Sequence, residues 1–199
     1  MQTGKQELGP TWTRLGATFV DLNAYADCAR QSFRAQYEAM GLGGAIMPDG
    51  KKNGDYYKQV LANPRLFRQA MDIELPFVVN EVRRVVGQLS GRTGPIVLSW
   101  GYLYQLFSLG IEVDHVVLCQ TENDIWTRRI QNRAAQIGLA NLSGDDVAWM
   151  AEILEMEQDA IEAVVAERYE NRFSVFNTSA DDWGASRLDY LLQSIIRPT

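Results

Sequence analysis

A chain of 199 residues, 46% apolar and 22% charged, is long enough to bury a sizeable core and has a globular composition. Its formal net charge of −6 excludes a bulk nucleic-acid binder, although a local arginine cluster leaves room for small anionic ligands. No apolar run approaches the ~20 residues of a membrane span, no basic head with an apolar stretch marks a secretory leader, and Cys28 and Cys119 fit no metal or redox spacing, which together predict a cytoplasmic protein with reduced thiols.

Thr3-Gly4-Lys5-Gln6 opens the chain, and Gly9-Pro10 lies within the segment that follows. Proline costs ~3 kcal/mol inside a helix and is tolerated in its first turn, so this helix is short or starts at Pro10. Thr18-Phe19-Val20 reads as a strand ending on Asp21. A helix is predicted from Leu22 to Met40, with Tyr25, Cys28, Ala29, Phe33 and Tyr37 at helical spacing. Gly41-Leu42-Gly43-Gly44 ends it; the group follows a helix rather than a strand, which argues against a phosphate cradle.

Asp55 to Leu61 predicts a short helix, and Asn63-Pro64 starts the next one, carrying Leu66, Phe67, Ala70 and Met71. Pro76 is expected to start or kink a further helix through Val78, Val79, Val82, Val85 and Val86. Ile96 to Ser99 and His115 to Cys119 read as fully buried strands separated by a helix from Leu103 to Leu109. Continuous apolar runs of this kind indicate a parallel sheet covered on both faces. Asn123 to Gln136 should be helical, a long acidic amphipathic helix runs from about Ser143 to Tyr169, Phe173 to Phe176 is the last strand, and Trp183 to Ile196 closes the chain. The expectation is one α/β domain with a lid-like helical segment at about 123–145.

Several residue groups carry candidate chemistry. Gly-Lys, a helix-length stretch and a strand ending in a carboxylate is how a phosphate-binding loop leads into its catalytic aspartate. Lys5 would then neutralise phosphate charge at a helix N-terminus; otherwise it is a surface lysine near a chain end. Gln6 stands where Ser or Thr would hold Mg²⁺, and Glu7 follows it. Asp21, at the carboxyl end of a parallel strand, is placed to accept a proton from a hydroxyl or to hold Mg²⁺ through water. The alternative is a helix cap for the segment from Leu22. Arg129 and Arg133 are four apart, so both guanidinium forks can clasp a polyphosphate, or, with Arg128, form a solvated face. His115, beside Asp114 with no nucleophile motif around it, reads as structural, and the apolar residues Trp149, Met150, Ile153 and Leu154 read as core contacts.

The order of these features resembles the dephospho-CoA kinase family and the related phage-type nucleotide kinases of the P-loop fold. Leu15-Gly16-Ala17 followed by the strand and Asp21-Leu22-Asn23-Ala24 resembles the family's strand and aspartate-x-aspartate-alanine stretch, with Asn23 replacing the second aspartate. Ala62-Asn63-Pro64, Ile73-Glu74-Leu75-Pro76, Val113 to Val117, the spacing of Arg129 and Arg133, and Phe176-Asn177-Thr178-Ser179 fall in the family's order. The chain departs where Leu75 replaces a histidine and where Ser99-Trp100-Gly101-Tyr102 replaces a strand-ending aspartate.

The resemblance implies a three-layer α/β fold with a parallel sheet of order 2-3-1-4-5, whose first, central strand would lie ahead of Met1. An empty slot would separate its neighbours by roughly 9.6 Å, so an upstream strand, a strand from another subunit or a rebuilt sheet is expected. It further implies ATP with Mg²⁺ as cofactor if the chain is active and none otherwise. Gly4, Lys5 and Gln6 would hold phosphates, Arg129 and Arg133 would clamp them, and Asn177 would lie near the adenine. Asp21 with Lys5 would carry catalysis, and Asn23, Trp100 and Tyr102 would line the acceptor. The acceptor would be a nucleotide or a nucleoside-containing cofactor such as dephospho-CoA, and the partial phosphate loop predicts little turnover by the isolated chain. A non-catalytic scaffold or binding protein that kept the fold is the alternative.

Overall fold

The computed structural model describes residues 9–91, 94–120, 122–136, 145, 163, 167–169, 172–177, 190, 191, 193 and 195. The elements among them are α1 (Gly9–Arg14), β1 (Thr18–Asp21), α2 (Leu22–Ser32), α3 (Arg34–Ala39), α4 (Gly54–Ala62), α5 (Pro64–Leu89), β2 (Ile96–Ser99), α6 (Leu103–Ser108), β3 (Val116–Gln120), α7 (Asn123–Gln136) and β4 (Phe173–Asn177). None of the described helices is long and apolar enough to cross a membrane. The chain divides into two compact units, residues 1–21, 89–130 and 155–199 in one and 22–88 and 131–154 in the other.

The first unit is α/β. Strand β1 pairs with β2 and β3 with β4, both in parallel, giving two two-stranded sheets among the described residues. Parallel neighbours need a crossover, which is why whole helices separate each pair in sequence. Both sheets contribute to one apolar cluster: Trp12, Ala17 and Phe176 are buried, with Phe19, Val97, Val117 and Cys119 packed against them. Trp12 reaches the cluster because α1 starts at Gly9, with Pro10 in the first turn where its missing N–H costs nothing. Gly16 and Gly94 both have positive φ, and a Cβ on Gly94 would sit 2.5 Å from the Gly16 carbonyl oxygen. Their lack of side chains lets β1 and β2 enter side by side, with Thr18 N–H donating to Pro95 O at 2.9 Å.

The second unit, over residues 22–88, is helical. The helix expected from Leu22 to Met40 is interrupted at Phe33, whose φ of −109° and ψ of 26° cap α3 separately. Asn53 caps α4, its side-chain oxygen accepting from the N–H groups of Asp55 and Tyr56. Pro76 does not start a helix: α5 runs for 26 residues with Pro76 inside it. The ~3 kcal/mol penalty of an interior proline is offset by the face that α5 buries, which includes Ala70, Met71, Val78, Val79 and Val82. Burying one valine alone contributes ~1.5–3 kcal/mol. Tyr37, Leu42, Ala45, Ile46, Tyr56, Val60 and Ala70 form the core here. The glycine group at 41–44 ends α3 and forms a short 3-10 turn, and a Cβ on Gly43 would collide with Glu38.

The expected strand at His115 begins one residue later, at Val116, and extends to Gln120. Helix α7 matches its expected span, while residues 137–144 of the lid-like segment lie outside the described residues. So do most of the expected acidic helix, with Trp149, Met150, Ile153 and Leu154, and most of the closing helix.

Candidate functional site

The register of the β1–β2 ladder sets Asp21 opposite Ser99 at the carboxyl ends of two parallel strands. Paired residues on parallel strands project to the same side of the sheet. Asp21 is half-buried, whereas Ser99 is only 7% exposed. The Ser99 hydroxyl is buried and has no hydrogen-bond partner among the described residues. An unmade hydroxyl bond costs ~1–3 kcal/mol, so an orphan beside a carboxylate at a strand end is an arrangement that a ligand hydrogen bond would repair. Behind Ser99 the chain turns through Trp100, 3% exposed, whose ring meets Tyr102 edge-on with centroids 5.5 Å apart. Helix α6 starts directly after Tyr102, so strand end, aromatic pair and helix follow within a few residues.

Gly4, Lys5 and Gln6 lie outside the described residues, as do the side chains of Arg133 and Asn177. Asn177 is the last residue of β4 and pairs with Gln120. On α7, Arg128 is exposed and Arg129 half-buried. Asn23 is half-buried in the first turn of α2 and belongs to the second unit. His115 Nε2 lies 2.9 Å from Ser174 Oγ, and burial, reinforced by the Arg172 charge, holds its pKa below 6.5. Cys28 is exposed and Cys119 half-buried, both as reduced thiols.

Sequence reasoning missed a buried charged cluster in the second unit. Arg30 on α2 is 4% exposed and Glu74 on α5 is 1% exposed, with Arg30 Nη1 2.7 Å from Glu74 Oε2. The same guanidinium also pairs with Asp27 and donates through Nε to Gly50 O at 2.6 Å. Tyr37 Oη donates to Glu74 Oε1 at 3.0 Å, and Lys52 Nζ lies 3.6 Å from that oxygen and 4.5 Å above the Tyr56 ring. Burial alone would raise the Glu74 pKa, but Lys52 and Arg30 outweigh it and hold the group below its ordinary value. Burial lowers Lys52, with Glu74 opposing, and raises Tyr37 and Tyr56. Burial also raises Asp27, against the pull of Arg30. A signal was present: Ala70, Glu74, Val78 and Val82 follow one another at four-residue steps, so a lone carboxylate sits in an apolar stripe and demands a buried cation.

Among the described residues no group of three or more His, Cys, Asp or Glu side chains is arranged to hold a metal ion. No family model and no curated protein matches the sequence. Among solved structures the chain is similar to the crystal structure of TT1252 from Thermus thermophilus, at 19% identity and a TM-score of 0.59, covering 98% of this chain and 93% of that one. At such identity the likeness concerns the fold alone, and it agrees with an α/β architecture.

Proposed function

We propose that the chain is a P-loop-kinase-like domain whose strand-end site transfers phosphate from ATP to a hydroxyl of a nucleotide or a nucleoside-containing cofactor such as dephospho-CoA. The observation that carries this reading is the Asp21–Ser99 pair at the carboxyl ends of parallel strands, the crevice where open α/β sheets bind ligands. The pairing of β1 with β2 and of β3 with β4 is also the pairing left in a 2-3-1-4-5 sheet when its middle strand is set aside.

In this reading the half-buried Asp21 carboxylate takes the proton of the attacking hydroxyl. The Ser99 hydroxyl, otherwise unpartnered, fixes the acceptor by a hydrogen bond, and Trp100 and Tyr102 form the wall behind it. Gly4, Lys5 and Gln6 cradle the phosphates, Arg129 and Arg133 neutralise charge on them from α7, and Asn177 lies toward the base. Alternatively Asp21 places Mg²⁺ through water, since the ion needs only one or two carboxylates besides phosphate and water oxygens. When bound, the metal supplies charge neutralisation on the transferring group. The two reduced cysteines fit a reducing, cytoplasmic setting.

A second reading is a non-catalytic binding protein or scaffold on the same fold, favoured by Gln6 and Glu7 in the phosphate loop and by Leu75 and Ser99 in the acceptor segments. Calorimetry with Mg-ATP separates the two. The kinase reading expects binding by the wild type and at least tenfold weaker binding in Lys5→Ala. No binding of Mg-ATP by the wild type would overturn it and leave the scaffold.

A further inference from the structure

The phosphotransfer reading leaves the buried polar cluster of the second unit unused. We infer that Lys52, Glu74 and Tyr56 form an internal binding site for a single water molecule. Tyr56 is 1% exposed, and its hydroxyl has no hydrogen-bond partner among the described residues. Buried hydroxyls without a partner are rare, and each one calls for an explanation. The Lys52 ammonium lies over the same ring, at 4.5 Å from its centre. Its 3.6 Å separation from Glu74 Oε1 exceeds hydrogen-bond reach, the range in which a bridging water is expected. Lys52 therefore has donors to spare, and Glu74 Oε1, which accepts from Tyr37 at 3.0 Å, keeps a second lone pair.

Two properties fix the class of ligand. Asp27 and Glu74 against Arg30 and Lys52 sum to zero formal charge, so an added ion would be left unbalanced where a neutral molecule is not. Tyr56 and Glu74 are each 1% exposed, so the site is closed to bulk solvent and a large ligand could enter only if the fold opened. Water can accept from Lys52, donate to Glu74 and exchange a bond with Tyr56, the three bonds usual for an internal water. The three side chains come from the turn before α4, from α5 and from α4, so the water ties three segments together.

The test is a high-resolution crystal structure of the full chain as wild type and as Tyr56→Phe, with thermal unfolding of both. The site expects an ordered water within about 3.2 Å of Tyr56 Oη, its loss in Tyr56→Phe, and a Tm lower by about 2–4 °C in that variant. A bare orphan hydroxyl gives the opposite sign, because its removal relieves a penalty. No ordered water at that position in the wild type, or an equal or higher Tm for Tyr56→Phe, overturns the inference. Lys52→Met, which keeps the length of the stem, should displace the water; a water unmoved in that variant overturns the part given to Lys52.

Discussion

Arg30 and Glu74 meet at 2.7 Å with side chains 5% and 1% exposed, an ion pair held almost entirely out of water. Removing one partner leaves an uncompensated charge, which costs ~3–5 kcal/mol, whereas replacing both with apolar groups of similar volume is often neutral or better. Glu74→Leu alone should therefore destabilise by ~3–5 kcal/mol in urea unfolding, and Arg30→Met with Glu74→Leu should recover most of the loss. Equal loss in the double variant would mean that the groups left behind, Asp27, Lys52, Tyr37 and Gly50 O, dominate its effect.

The pH dependence has two limbs of known sign. Glu74 is held below 4.5 in the fold, so its contribution is present above 4.5 and is lost as pH falls through the folded value. Lys52 is held below 10.5 by burial, so the unfolded chain binds the extra proton and stability rises as pH climbs through the folded value toward 10.5. Unfolding curves across pH should show Glu74→Gln flattening the acid limb and Lys52→Met flattening the alkaline one. An alkaline limb unchanged in Lys52→Met would remove Lys52 as its source.

Ser99→Ala deletes a buried hydroxyl that lacks a partner among the described residues. In the ligand-free chain the variant should be as stable as the wild type or more so, by up to ~1–3 kcal/mol. Its affinity for a ligand that uses this hydroxyl should fall by about tenfold, one hydrogen bond of ~1.4 kcal/mol. A Tm clearly below that of the wild type would show that Ser99 holds the β1–β2 end together by itself.

His115 offers a local readout. Burial is the larger cause of its lowered pKa and Arg172 the smaller. Arg172→Gln should move the NMR titration of His115 upward without restoring it to 6.5. Full restoration would make the arginine, and not burial, the main cause.

Strands β1, β2 and β4, and helix α7, were legible because apolar runs and turn residues bounded them: Thr18–Asp21, Ile96–Ser99 and Asn123–Gln136 stand within a residue of the sequence reading. The break at Phe33 and the continuity through Pro76 were not legible, because each depends on what the helix packs against rather than on local preference. Asp21 was found from its place after a strand, and its neighbour Ser99 was noted only as a departure from a family pattern. That the two stand opposite each other is a matter of register, and register is set across the sheet. Arg30, Lys52 and Glu74 escaped because they are far apart in sequence and no motif links them.

The strand pairings also set the order of events during folding. Thr18 pairs with Ile96 and Val116 with Phe173, so neither ladder can close until distant parts of the chain have met. Helices α2 to α5 follow one another over residues 22–89 and lie, in sequence, between the two partners of the first ladder. Contacts that close small loops form fastest, so this helical stretch is the early-forming part, and the parallel ladders set the pace of refolding.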